Sequence, residues 1–212
     1  MTSSPAPQLI SVNVGQPRLL VAGRRTISTA IWKSPVQGSV RVRGINLDGD
    51  LQADRSVHGG PDKAVYAYAL EETRIWETEL GRDLDVPAFG ENLTTSGVDV
   101  SGAVVGELWR VGSTLLEVAQ PRLPCFKLAL RMSDPTFIRR FAGASRPGAY
   151  LRIIEEGELA AGDIVTVTDR PDHGVTVRMV SDALLRDPSL IPRVLKADQL
   201  PGRLRESMAA RV

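Results

Sequence analysis

Apolar and polar residues alternate in short runs over roughly the first 170 positions, and glycine, proline or asparagine breaks the runs every few residues. Leu9-Ile10-Ser11-Val12-Asn13-Val14 and Thr26-Ile27-Ser28-Thr29-Ala30-Ile31-Trp32 read as strands. Val40-Arg41-Val42-Arg43-Gly44-Ile45 alternates apolar with basic, as a strand with one buried face does, and Asn46-Leu47-Asp48-Gly49-Asp50 then supplies turn chemistry. Ala64-Val65-Tyr66-Ala67-Tyr68 is a further strand. Leu108-Trp109-Arg110-Val111 and Thr114-Leu115-Leu116-Glu117-Val118 flank Gly112-Ser113, a two-residue hairpin loop with glycine first. Tyr150-Leu151-Arg152-Ile153-Ile154 and Ile164-Val165-Thr166-Val167-Thr168 read as a second pair, with Gly157 and Gly162 between them. So many short strands with frequent turns predict a barrel or a curled sheet.

The period changes in a few places. Ala69, Thr73, Trp76 and Leu80 share one face of a helix over 69–80 that Gly81 stops. Asp134-Pro135 reads as a helix cap with proline at the first position, followed by Phe137, Ile138 and Phe141 and ended by Gly143. Beyond Arg170-Pro171-Asp172-His173-Gly174 the strand pattern stops. Thr176 caps a helix carrying Val177, Val180 and Leu184; Pro188-Ser189 opens a second with Ile191 and Leu195; Pro201 opens a third with Leu204 and Met208. The expected fold is therefore mainly β (α+β): a β domain over residues 1–170 and a three-helix appendage over 171–212. So short an appendage buries little by itself, and it packs either on the β domain or on a second subunit of a homodimer.

Composition narrows the class. Apolar residues make up 42% and charged residues 24% of the chain, as in ordinary globular proteins, and a formal net charge of +1 gives no global drive toward nucleic acid. No apolar run approaches the roughly 20 residues that span a bilayer, and the first residues show no signal-peptide pattern, so a cytoplasmic protein with no membrane partner is expected.

Cys125 is the only cysteine, which excludes an intramolecular disulfide. It sits in Gln120-Pro121-Arg122-Leu123-Pro124-Cys125-Phe126-Lys127, where Arg122 and Lys127 favour the thiolate, the reactive and metal-binding form. Pro124 suits the first turn of a short helix over 126–132, whose start also favours an anion. The competing reading is a small buried hydrophobe, the commonest use of a free cysteine. In Val57-His58-Gly59-Gly60-Pro61-Asp62-Lys63 the glycines let backbone amides approach a ligand and Lys63 offers a charge for phosphate, although a plain tight turn uses the same residues. In Phe89-Gly90-Glu91-Asn92-Leu93-Thr94-Thr95, Glu91 and Asn92 either bind polar ring edges or fix a turn. Lys33 follows a strand and can meet an anion. Lys33 and Lys63 both lie beside turns, so their removal is expected to affect folding little. Two histidines and one cysteine do not match zinc spacings, and hydrolase elbows, Walker loops and dinucleotide fingerprints are absent. The set suits an anionic, metal-bearing organic ligand.

The segments Val57–Tyr66, Phe89–Thr94 and Gln120–Leu128, in this order and spacing, resemble the MOSC domain family, and the whole chain is similar to its bacterial YiiM-type branch. The resemblance implies a MOSC-type β-barrel that binds the molybdenum cofactor, a pyranopterin with a dithiolene and a terminal phosphate. It implies that Cys125 is the molybdenum ligand and catalytic residue. It also implies reduction of small N-hydroxylated or N-oxygenated compounds such as N-hydroxylated nucleobases, with electrons from an external reductase. Lys33, Lys63, Arg122 and Lys127 become candidate anion partners, and His58, Gly59, Gly60, Tyr66, Glu91 and Asn92 candidate cofactor-binding residues. Cofactor delivery as a carrier and persulfide-based sulfur transfer are the alternative functions.

Overall fold

The computed structural model describes residues 6–22, 25–52 and 59–212. The chain begins with β1 (Gln8–Val14), a hairpin of β2 (Arg18–Ala22) and β3 (Arg25–Thr29), and the short strands β4 (Ser34–Pro35), β5 (Val40–Arg43) and β6 (Asn46–Leu47). A 3-10 turn over Pro61–Lys63 leads into β7 (Val65–Ala69), α1 (Leu70–Leu80) and β8 (Leu93–Ser96). The hairpin of β9 (Leu108–Val111) and β10 (Thr114–Pro121) is followed by α2 (Phe126–Met132) and α3 (Phe137–Gly143). Strands β11 (Ala149–Glu155), β12 (Gly157–Leu159) and β13 (Val165–Asp169) complete the β part, and α4 (Val177–Leu185), α5 (Ile191–Val194) and α6 (Gly202–Ala209) form the tail.

Eight strands form one curled sheet in the order β13-β9-β10-β11-β7-β8-β1-β4, with smaller sheets β12-β5-β6 and β2-β3 beside it. Every paired ladder is antiparallel except β7 with β8, whose connection runs through α1. The architecture is mainly β with helices, but the closed barrel is corrected. The curl brings the start of β1 to the residues before β13, where Leu9 N–H donates to Asp163 O at 2.9 Å and Val165 N–H to Pro7 O at 2.9 Å. That contact is an isolated bridge at Gln8 and Ile164 rather than a ladder, because β1 is paired along its length with β8 and at its end with β4.

Local chemistry accounts for several elements. Gly112 takes a φ of 55°, as the tight β9–β10 turn requires, and a Cβ there would stand 2.3 Å from Glu158 O. Thr176 caps α4 by accepting from Met179 N–H at 3.1 Å. Asp134 lies three residues before α3 begins: its carboxylate accepts from Thr136 N–H at 2.8 Å, and the helix starts after that turn. Strands β11 and β13 exist as predicted but are not partners; β11 lies between β10 and β7, and β13 pairs with β9. The β12 strand between them takes the chain away to pair with β5. The β2–β3 hairpin and β8 were not expected, since neither β2 nor β8 shows clean alternation.

Two apolar clusters hold these layers together. An aliphatic one runs without a break from Leu9, Trp109, Val118 and Leu151 in the sheet to Val177, Val180, Ile191 and Met208 in the tail. An aromatic one gathers Tyr66, Tyr68, Trp76, Phe89, Phe137 and Phe141 beneath α1, α2 and α3. Trp76 Nε1–H donates to the Tyr68 hydroxyl at 2.9 Å, and the Tyr66 hydroxyl donates to Pro147 O at 2.8 Å, so the polar edges of this cluster are satisfied. Among the described residues no helix is long and apolar enough to cross a membrane.

Candidate functional site

A cleft of about 700 Å³, counting the solvent at its mouth, opens above the aromatic cluster. Segments far apart in sequence build it: residues from the end of β3 to Lys33, Asp50–Gln52, Lys63 of the 3-10 turn, Tyr66 on β7, Phe89, Gly90 and Asn92 before β8, residues from Arg122 to Lys127 leading into α2, and Tyr150 on β11. Gly90 is needed here: it has a φ of 75°, and a Cβ would stand 2.7 Å from the Ile31 side chain and 2.9 Å from Ile31 O.

The cleft brings together Cys125, Lys33, Lys63, Tyr66, Asn92, Arg122 and Lys127. Cys125 is half-buried and stands immediately before α2, with its carbonyl accepting from Leu128 N–H at 3.0 Å. Arg122 is buried, with a relative exposure of 6%. Its guanidinium lies 5.4 Å from the Tyr66 ring and 5.7 Å from the Phe141 ring, and its Nη1 has no hydrogen-bond partner among the described residues. Burial opposes its charge, but Tyr66, Cys125 and Tyr150 facing it more than offset that, and it titrates above its ordinary value. Burial pushes the Tyr66 and Tyr150 hydroxyls up, with the Arg122 charge opposing, so both remain neutral donors.

Other residues have their polar groups already engaged. Lys33 is ion-paired with Asp50, whose carboxylate also accepts from Gly15 N–H at 2.7 Å and from Asn92 Nδ2 at 2.9 Å. Burial lowers the Lys33 pKa, and the Asp50 charge opposes that shift. Lys63 is likewise lowered by burial, with Asp62 opposing. Asn92 donates to both Asp50 and Asn13 O and accepts from Tyr66 N–H at 3.1 Å, so its amide clips β7 to β1 and to the Asp50 loop. Glu91 is fully buried outside the cleft lining, where it accepts from Phe89 N–H at 2.9 Å and from Thr94 Oγ1 at 3.1 Å. Desolvation raises its pKa. Gly59 and Gly60 do not line the cleft; Gly60, with a φ of 96°, opens the turn that presents Lys63. His58 lies outside the described residues.

Asp50 and Tyr150 are the site residues that sequence reading missed. Asp50 looked like turn chemistry after Gly49, and only burial at 4% exposure distinguishes it. Tyr150 follows Ala149, which is itself wholly buried opposite Ala67 and Pro121 in the sheet.

The MOSC domain model matches residues 54–166, more than half of the chain, spanning the Lys63 turn, the Phe89–Asn92 loop and the Cys125 segment. The chain belongs to the MOSC domain family. Within it, the chain is 34% identical over 202 residues to the uncharacterized protein YflK of Bacillus subtilis, covering 94% of this chain and 91% of YflK. The crystal structure of YiiM from Geobacillus stearothermophilus superposes with a TM-score of 0.79 at 26% identity, covering 97% of this chain and 98% of that one. It is a YiiM-type MOSC protein. A Gibberella moniliformis protein named "Reductase" is 32% identical over 178 residues, 81% of this chain but 31% of that longer protein. MOSC proteins are associated with the molybdenum cofactor. The cleft suits such a group: among the described residues it offers one soft sulfur donor, four cations against the single Asp50 carboxylate, and a buried guanidinium nitrogen without a partner.

Proposed function

We propose that this MOSC protein binds the molybdenum cofactor in the cleft and reduces small N-hydroxylated compounds, N-hydroxylated nucleobases among them. The observation that carries the reading is the placement of Cys125 in one cation-rich cleft with Arg122, whose buried Nη1 has no partner among the described residues. Among the described residues no three His, Cys, Asp or Glu side chains gather as a metal-binding group, so a metal held here must arrive with ligands of its own. Cys125 supplies the protein's sulfur to molybdenum, a soft donor for a metal already bound by dithiolene sulfur. Arg122, Lys63 and Lys127 bind the anionic parts of the cofactor, Arg122 with the strongest drive because it is buried with its Nη1 lacking a partner among the described residues. Lys33 contributes through its pair with Asp50, which fixes the cleft wall. The bound cofactor supplies two-electron reduction of the N–O bond, R–NH–OH + 2e⁻ + 2H⁺ giving R–NH₂ + H₂O.

The electrons come from a separate reductase chain. A longer fungal protein named "Reductase", of which this chain matches 31%, supports an association with reductase chemistry. The test is elemental analysis and turnover on protein made in a cofactor-competent host. Near-stoichiometric molybdenum and reduction of an N-hydroxylated base with an artificial donor are expected, and Cys125→Ser, a harder donor, should lose both. Molybdenum retained without turnover would identify a carrier instead. A Cys125→Ser protein that keeps its metal and activity would remove Cys125 from the site.

A further inference from the structure

Outside the cleft, one guanidinium joins three parts of the chain. Arg152 on β11 donates from Nε to Asp62 Oδ1 at 2.5 Å, from Nη1 to Glu117 of β10, and from Nη2 to the Gln199 backbone carbonyl at 2.9 Å in the segment between α5 and α6. Asp62 is the middle residue of the Pro61–Lys63 turn, and its backbone carbonyl also accepts from Gln120 Nε2 at 3.1 Å. The next residue, Lys63, lines the cleft. The turn buries no side chain of its own and follows Gly60 at a φ of 96°, so apolar packing does little to place it. Its position depends on polar holds, and Arg152 supplies one of them directly from the strand.

We propose that Arg152 is a positioning residue: it holds Asp62 so that the Lys63 ammonium faces the cleft, and it makes that placement depend on the docking of the C-terminal segment at Gln199. The inference rests on the proposed use of the cleft only in taking Lys63 as one of its cations. Its test uses the full-length chain purified without cofactor.

Cys125 is the only thiol in the chain and shares the cleft with Lys63, so thiol-exchange rates report the local field. The readout is the rate with dithiobis(nitrobenzoate), a dianion, divided by the rate with neutral dithiodipyridine; access and thiol ionisation cancel in that ratio. Lys63→Met should lower the ratio about threefold, the effect of one partly screened charge. Arg152→Lys, which keeps the charge but cannot reach three acceptors at once, should lower it similarly. So should Asp62→Asn, although that change removes a negative charge and through charge alone would raise the ratio. Neither should add to Lys63→Met in the double variants. Leu200→Ala, which loosens the buried residue beside Gln199, should act in the same direction. An unchanged or raised ratio in Asp62→Asn or Arg152→Lys, or additivity with Lys63→Met, overturns the positioning role; an unchanged ratio in Leu200→Ala overturns the tail's part in it. Circular dichroism and thermal unfolding of each variant confirm that the folded state is being compared. A chain that passes this test and holds no molybdenum would sink the cofactor reading alone.

Discussion

Arg122 and Lys33 show how differently two cations on one wall behave. Arg122 is buried, its charge is held by Tyr66, Cys125 and Tyr150, and its Nη1 is left without a partner among the described residues as a resource for an anionic ligand. Arg122→Met should therefore change the stability of the cofactor-free chain less than it changes cofactor retention, which should weaken by about 10- to 100-fold, the loss of a charge-assisted hydrogen bond of about 1.5–3 kcal/mol. Denaturant titration and molybdenum content check the two halves, and a marked loss of stability with full metal content would reverse the assignment. Lys33 is the opposite case. The expectation that it is cheap to remove does not hold, because its ammonium is buried against Asp50, whose side chain is 2% exposed. Lys33→Met strands that carboxylate with only Gly15 N–H and Asn92 for partners and should cost about 2–4 kcal/mol in urea unfolding. A cost below 1 kcal/mol, roughly the value of an exposed pair, would mean the pair is solvated after all.

At the scale of elements, α1 carries a charge where its sequence pattern shows only an apolar face. Glu72 is 7% exposed beside Thr73 and Trp76. Burial lifts its carboxyl from 4.5 to about 7; a hydrogen bond from Ser101 opposes the shift, Asp99 adds to it, and Arg178 and Arg146 oppose it. The same carboxylate helps raise Tyr68 and Tyr66. Between pH 4.5 and 7 the folded chain holds a proton that the unfolded chain has released. Stability therefore falls as pH rises through that window and stays lower above it. Glu72→Gln, which mimics the protonated acid, should gain about 2–4 kcal/mol more relative to the wild type at pH 8 than at pH 5. Equal differences at both pH values would show that Glu72 titrates normally. The β9–β10 hairpin is equally exacting. Gly112→Ala places a Cβ 2.3 Å from Glu158 O at a φ of 55° and should lower stability by about 1–3 kcal/mol, read from the thermal midpoint.

At the scale of the molecule, the tail and the sheet share one aliphatic cluster. Met208, the one buried residue of α6, packs in that cluster with residues of the sheet. Met208→Ala should cost about 2–4 kcal/mol in a single cooperative transition, as for a core methionine. A separate low-stability transition confined to the tail would instead show that residues 171–212 fold as an appendage of their own. A chain ended near Arg170 should lose cooperative unfolding, and any folded fraction should bind cofactor more weakly, since Gln199 O no longer anchors Arg152.

The sequence by itself determined the elements whose cause is local. Alternation set β5, the glycine at position 112 set the β9–β10 hairpin, Thr176 set the start of α4, and the Pro-Cys segment set α2 over Phe126–Met132 with Cys125 at its head. The motifs that line the cleft were legible as a family pattern, because the residue types that bind an anion and a soft metal are few. Tertiary structure alone decided how each residue is used. Asn92 and Glu91 read equally as ligand groups or as turn fixers, and the fold has Asn92 clipping strands and a loop while lining the cleft and Glu91 bracing its own turn. Lys33 looked solvated and is buried, and Asp50 looked like a turn and is its partner. Strands β11 and β13 looked like a hairpin and were separated by pairing with β10, β7 and β9. In each case the deciding quantity was burial or a partner far away in sequence, and a desolvated charge or an unpaired strand edge takes whichever partner the fold brings within reach.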